Sequence, residues 1–147
     1  MSVLVSVILG RKGTDVFTIG RDATVTDALK VLADRNVGAL VVADRPGAVD
    51  GIVSERDIVR RLARSGPEAL GLPVSAVMTA DVLTCTADAN ADDVMQTMTT
   101  HRTRHLPVVD DQGRLIGIVS IGDVVKSRID ELEMQAQAMQ DYITASP

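Results

Sequence analysis

Aromatic residues are nearly missing from this chain: one Phe (Phe17), one Tyr (Tyr142) and no Trp in 147 residues. A surface that reads RNA or single-stranded DNA by stacking bases on aromatic rings is therefore not expected. An excess of basic charge is missing as well. The formal net charge is −5 and the isoelectric point about 4.9, the reverse of the electrostatic footprint of a nucleic-acid binder. Cysteine occurs once, as Cys85, so no internal disulfide can form and a reducing compartment suits the chain. Histidine occurs twice, at His101 and His105. With a single cysteine elsewhere these make no metal-ligand spacing, and no metal site is expected. No apolar run approaches the roughly 18 residues that span a bilayer. Residues 3–9 lack the upstream positive charge and the cleavage-type end of a signal peptide, and the expected location is the cytoplasm.

What is present is a repeat. Gly51-Ile52-Val53-Ser54-Glu55-Arg56-Asp57 returns as Gly117-Ile118-Val119-Ser120-Ile121-Gly122-Asp123, 66 residues later. The alignment runs without a gap from residues 18–60 onto residues 84–126, with 14 of 43 positions identical, which marks a duplication. Such a repeat decides the fold before local propensity does. A unit of about 60 residues buries too little surface to be robust alone, so the two copies should share one core, built from Val, Ile, Leu, Met and Ala.

Both copies follow the same grammar. In the first, residues 16–19 read as a strand. Thr24 and Asp27 form a capping box, with Ala28, Leu29, Leu32 and Ala33 following at helical spacing. Residues 39–43 read as a buried strand, 44–47 as a turn, and 49–53 as a returning strand that feeds a helix at Ser54. In the second, residues 82–85, a helix capped by Asn90, residues 106–109, a turn at 110–113, residues 115–119 and a helix from Ser120 repeat the order. Each unit is β-α-β-β-α. Similar pentads, Val5 to Leu9 and Val74 to Met78, precede the copies and read as short helices entering their unit. Their separation is 69 rather than 66, so three residues were gained or lost around Gly10 to Gly13. The last helix outruns its counterpart: Val125, Ile129, Leu132, Ala136, Met139 and Ile143 form a heptad stripe suited to pairing with a second subunit, or to packing on its own domain.

Ser54-x-x-Asp57 and Ser120-x-x-Asp123 both fit a capping box, and an isolated pair of this kind does nothing more than satisfy orphan backbone N–H groups. Their context differs from that of Thr24 and Asp27. Each follows a Gly-Ile-Val strand with no loop, so the helix N-terminus emerges at the end of a sheet. Free N–H groups and the positive end of the helix dipole favour phosphate there, and a carboxylate one turn in can accept ribose hydroxyls.

The doubled unit, the Gly-Ile-Val-Ser-x-x-Asp endings and the segment Arg104-His105-Leu106-Pro107-Val108-Val109-Asp110 resemble a tandem pair of cystathionine-β-synthase (CBS) domains, a Bateman module, over nearly the whole chain. The resemblance implies an α/β (α+β) fold of two β-α-β-β-α repeats related by a pseudo-two-fold axis. It places a first repeat with its N-terminal helix at 1–68, a second at 69–128 and a helical extension at 129–147. It also implies two clefts between the copies. One would hold Ser54, Arg56 and Asp57, facing Leu83, Thr84, Cys85, Arg104, His105 and Pro107. The other would hold Ser120 and Asp123, facing Phe17, Thr18, Ile19, Gly38, Ala39 and Leu40. Each Asp would bind ribose, each Ser would touch phosphate, and the strands would sandwich adenine.

The expected function is regulatory, not enzymatic. The chain would bind an adenine nucleotide (AMP foremost, with ADP, ATP or NAD as alternatives) with no catalytic cofactor or metal, form a homodimer and signal to a regulated protein whose identity is open. The alternative is a structural oligomerisation module without a nucleotide. Arg56, Arg104 and His105 give the Asp57 cleft charge for phosphate, whereas Gly122, Gly38 and Ala39 leave the Asp123 cleft roomier and less charged. Cys85 and the run Arg56, Arg60, Arg61 and Arg64 have bland alternatives, a packed side chain and a solvated face.

Overall fold

The computed structural model describes residues 3–145; Met1, Ser2, Ser146 and Pro147, the ends of the expected first and last segments, lie outside the described residues. Helix α1 (Val5–Lys12) precedes β1 (Thr18–Ile19), α2 (Val25–Arg35), β2 (Ala39–Val42), β3 (Gly51–Ser54) and α3 (Glu55–Ser65). Two 3-10 turns, Gly66–Gly71 and Val74–Ala76, lead to β4 (Cys85–Thr86), α4 (Ala91–His101), β5 (His105–Val109), β6 (Leu115–Ser120) and α5 (Ile121–Ala145). The sheets run β1-β2-β3 and β4-β5-β6, each with a parallel first pair and an antiparallel second pair. The α/β repeat expected from the sequence is the fold that forms. Strand boundaries shift by one to three residues: β1 begins at Thr18, β2 ends at Val42, β3 runs Gly51–Ser54, β5 begins at His105, β6 ends at Ser120, and residues 82–84 are not strand, β4 beginning at Cys85.

Local chemistry explains the helices. Asp27 N–H donates to Thr24 Oγ1 and Thr24 N–H to Asp27 Oδ2, each at 3.1 Å, which closes the capping box of α2. Asn36 ends that helix in the left-handed region at φ 54. Val25, Ala28 and Leu32 then bury one face of α2 against Leu40, Val42 and Val53 of the sheet. Ala39, Val41 and Ile52 are also buried but belong to neither apolar cluster. Strand alternation turns them to the opposite face of the sheet, which the second copy approaches. There Leu115 N–H donates to Gly47 C=O at 2.9 Å.

The two leading pentads cross over. The first was expected to enter the unit it precedes, yet Val5, Ile8 and Leu9 of α1 complete the second core, with Val94, Met98, Leu106 and Val119. Val74 completes the first core. Backbone bonds repeat the exchange: Val5 N–H donates to Ala89 C=O at 2.8 Å, and Val74 N–H to Ala23 C=O at 2.7 Å. Leu9 then rests on Gly117 and Met78 on Gly51. The leading segment thus belongs by packing to the other copy, because only there does its apolar face find a bare sheet.

Helix α5 leaves the fold. Every residue from 132 to 145 is exposed, and on the heptad stripe Ile129, Leu132, Met139 and Ile143 are 50%, 48%, 64% and 66% accessible. The stripe does not pack on its own domain. No helix among the described residues is long and apolar enough to cross a membrane.

The two glycine contacts differ in kind. A Cβ on Gly51 would lie 2.5 Å from Met78 Sδ and 2.9 Å from the backbone oxygen of Thr79, whereas the three atoms nearest one on Gly117 all belong to the Leu9 side chain, the nearest at 2.9 Å. Gly51→Ala is expected to cost about 1–3 kcal/mol, the usual cost of overpacking, and Gly117→Ala less, because a side-chain end yields where backbone does not. Urea midpoints at unchanged slope measure both; equal losses would refute the distinction.

Candidate functional site

Strand β3 becomes helix α3 at Ser54 without a loop. Asp57 N–H donates to Ser54 Oγ at 3.2 Å, and Asp57 Oδ2 accepts from Ser54 N–H at 2.9 Å and from Ser54 Oγ at 3.0 Å. The second copy repeats the box. Asp123 N–H donates to Ser120 Oγ at 3.1 Å, and Ser120 N–H to Asp123 Oδ2 at 2.9 Å. Both motifs are genuine helix caps. What separates them from Thr24 and Asp27, and from each other, is what stands before them.

Before Ser54 and Asp57 lies a cavity of about 470 Å³, within the size range of small-molecule sites. The first copy supplies Gly38, Ile52, residues 54–57 and Arg60; the second supplies the segment 79–83 and the turn 101–105. The structure therefore brings together Ser54, Arg56, Asp57, Leu83, Arg104 and His105 as expected for this cleft. Thr84, Cys85 and Pro107 do not line it. Cys85 pairs with Val108 in the sheet and packs against the second core, Pro107 is buried within β5, and Thr84 is exposed just before β4. Gly38, expected opposite Asp123, lines the Asp57 cavity instead, because β2 and β5 begin side by side. A Cβ on Gly38 would sit 3.3 Å from His105 Cε1.

The sequence reading missed Arg60 and Arg102. Arg60 stands four residues after Arg56 and so on the same helix face, a signal available in the sequence. Arg102 had none: the first copy has Asn36 there. Both residues adopt left-handed backbone, at φ 54 for Asn36 and φ 53 for Arg102. Asn tolerates that region more readily than Arg, so an arginine held there at the rim of a cavity is a strained choice. The cleft thus gathers Arg56, Arg60, Arg102 and Arg104, and none of the four has an ion-pair partner among the described residues. Arg61, on the same helix, is instead tied to Ser65 Oγ and Ala76 C=O.

His105 is held below its ordinary value of 6.5, first by burial and then by the Lys12 cation, against the opposing pull of Asp123 and Glu55. It faces the cavity as a neutral imidazole at pH 7. Burial pushes the Cys85 thiol up to about 11, so it is inert packing rather than a nucleophile.

The Asp123 side is built differently. Lys12 Nζ donates to Asp123 Oδ2 at 2.6 Å and to Ile118 C=O at 2.9 Å. Burial works against the charged carboxylate, but the hydrogen bonds from Lys12 and Ser120 and the Lys12 charge outweigh it and hold Asp123 below the usual carboxylate range. The adjoining cavity measures about 130 Å³ and is lined by Ile8, Arg11, Lys12, Lys126, Ser127 and Asp130 beside Asp123. Phe17, Thr18, Ile19, Ala39 and Leu40, expected to face Asp123, do not line it. Ile19 and Leu40 belong to the first core, Ala39 is buried in β2, Thr18 is exposed on β1, and the Phe17 ring lies 4.9 Å beneath the Arg35 guanidinium. The less charged cleft expected here is corrected: α1 places a lysine beside Asp123.

The chain belongs to the CBS domain family. The family model matches it twice, over residues 12–64 and 74–130. The chain is 41% identical to a mitochondrial CBS domain-containing protein of Arabidopsis thaliana, over 83% of this chain but 61% of that protein's length. The fold coincides with the crystal structure of a CBS-domain-containing protein of Agrobacterium tumefaciens, with a TM-score of 0.83 and 44% identity, covering 87% of this chain and 95% of that one. It also matches a CBS domain protein of Pyrobaculum aerophilum complexed with AMP, with a TM-score of 0.76 and 27% identity, covering 91% and 99%.

A depressed histidine has a defined signature. Because the folded chain holds His105 neutral, its full contribution to stability is present above 6.5, and it is lost as pH falls through the lower folded value. The unfolding free energy should therefore decline below about pH 6.5, and His105→Gln should flatten that part of the profile. Urea unfolding at pH 5 to 8 checks this; an unchanged slope in the variant would refute it.

Proposed function

We propose that this chain is a regulatory module that binds an adenine nucleotide in the Asp57 cleft and reports its occupancy to a partner protein. The observation that carries the reading is the convergence, in one cavity, of a helix N-terminus bearing Ser54 and Asp57 with four arginines that lack ion-pair partners among the described residues. Asp57 Oδ2 is engaged by the cap while Oδ1 has no hydrogen-bond partner among the described residues, so it can accept a ribose hydroxyl. The helix N–H groups, the Ser54 hydroxyl and the guanidinium groups suit phosphate, and Leu83 and Val82 offer apolar surface to a base. AMP is the first ligand to test, given the AMP complex of the Pyrobaculum relative; ADP, ATP and NAD follow. The reading is of a sensor rather than an enzyme.

The cavity walls come from both copies, so a ligand seated there has contacts that depend on how the copies sit. Differential affinity for two such arrangements is what a population shift requires. The partner would read the arrangement, or the surface it exposes.

Asp57→Ala should weaken AMP binding about tenfold to a hundredfold, the worth of a hydrogen bond to a charged group plus the lost cap. Calorimetric titration measures it. Undiminished affinity would sink the ribose assignment, and absence of any adenine-nucleotide binding in the natural chain would favour the purely structural reading.

The exposed stripe on α5 supports a homodimer in which two such helices pair. Truncation after Arg128 should shift the species seen by light scattering toward the monomer, or weaken the dimer on dilution. A truncated chain as dimeric as the full one would remove α5 from that role.

A further inference from the structure

We propose that Lys12 is a built-in occupant of the Asp123 cleft: it fills the place where a second ribose would bind, and the chain therefore takes one adenine nucleotide, not two. This rests on the reading of the Asp57 cleft above.

The basis is a local break in the repeat. Leu9 and Met78 are equivalent at a separation of 69 residues, and both rest on the equivalent glycines Gly117 and Gly51. From Gly13 and Thr79 onward the separation is 66. The excess is Gly10-Arg11-Lys12, the last turn of α1. In the copy that carries Asp57, the chain turns away after Met78. Thr79 N–H donates to Ile52 C=O at 2.9 Å and Ile52 N–H to Thr79 C=O at 3.0 Å. The following residues, 79–83, then form one wall of the open cavity. In the copy that carries Asp123, the three added residues carry the helix on, and the Lys12 ammonium replaces that amide. It donates to Ile118 C=O, the counterpart of Ile52 C=O, at 2.9 Å and reaches Asp123 Oδ2 at 2.6 Å.

Lys12 and the cap share Asp123 Oδ2, so a ribose hydroxyl at Oδ1 meets a carboxylate whose charge an ammonium already holds, and it is bound less well than at Asp57. The cavity of about 130 Å³ beside Asp123 lies between α1 and α5 and includes none of residues 13–17 and 35–39, the counterparts of the far wall of the Asp57 cavity. Ser127, one turn along α5 from Asp123, lines the cavity beside Asp123 at 5% exposure, and its hydroxyl has no hydrogen-bond partner among the described residues. The second cleft is a nucleotide site held shut by its own chain.

The test is the number of AMP sites per chain, read by calorimetric titration of the full chain. The natural chain should bind one AMP, and Asp57→Ala should bind it about tenfold to a hundredfold more weakly. Lys12→Met should bind two, and the double variant Lys12→Met/Asp57→Ala should regain one. Lys12→Arg, which keeps the cation, should stay at one. The Lys12 side chain is 30% exposed and lies outside both cores, so these variants should fold, which thermal unfolding checks. Two sites in the natural chain, or none in Lys12→Met/Asp57→Ala, would overturn the proposal. The arms separate it from the Asp57 reading. If the natural chain and Asp57→Ala both fail to bind but Lys12→Met/Asp57→Ala binds, the Asp57 reading fails and the Lys12 latch stands.

Discussion

The exchange of leading segments is the contact on which the rest of the structure depends. Neither copy is complete by itself: α1 fills the core of the second unit and Val74 that of the first. A unit of about 60 residues has little core to spare, and lending each copy a segment from before the other makes two marginal cores into one cooperative body. The exchange also draws the connecting chain across the gap between the copies. Residues 79–83 follow directly from the crossing at Met78 and become a wall of the Asp57 cavity. Lys12 ends the crossing helix on the other side. Both clefts owe their shape to where the crossing segments stop.

The same chemical device serves two ends. Ser54 with Asp57 and Ser120 with Asp123 close nearly superposable capping boxes, each a modest local stabilisation of about 1 kcal/mol. A cap uses one carboxylate oxygen and leaves the other to whatever approaches. At Asp57 the approach is open, with four arginines against the carboxylates of Glu55, Asp57 and Asp81, a balance that suits a ligand carrying both an anionic group and hydroxyls. At Asp123 an ammonium shares the capping oxygen, Oδ2, and holds the charge. Function separates from structure in the surroundings of the motif rather than in the motif.

Much of this was legible in the sequence. The offset of 66, the boxes at Thr24 and Ser54 and the apolar run at 39–43 are local patterns, and local patterns survive folding when both copies repeat them. Arg104 and His105, which the resemblance assigned to the Asp57 cleft, line its cavity. Of the residues the resemblance placed opposite Asp123, Gly38 lines the Asp57 cavity beside His105, Ala39 is buried in β2, and Leu40 lies in the first core as its counterpart Leu106 lies in the second. Cys85 and Pro107 were assigned by strand position, but a strand has two faces, and burial decides which one meets a ligand. Arg60 could have been found from its spacing to Arg56; Arg102 could not, since the first copy has an asparagine there.

By itself the sequence determined that there are two β-α-β-β-α units, where their helices begin, and that each ends its sheet in a capped helix suited to phosphate and ribose. These follow from periodicity and capping, which act within a few residues. Only the tertiary structure decided which unit each leading segment completes, which clefts are open and which carboxylate is already paired. Those outcomes depend on contacts between residues as distant as Lys12 and Asp123, and no local pattern encodes the reach of a side chain across a fold.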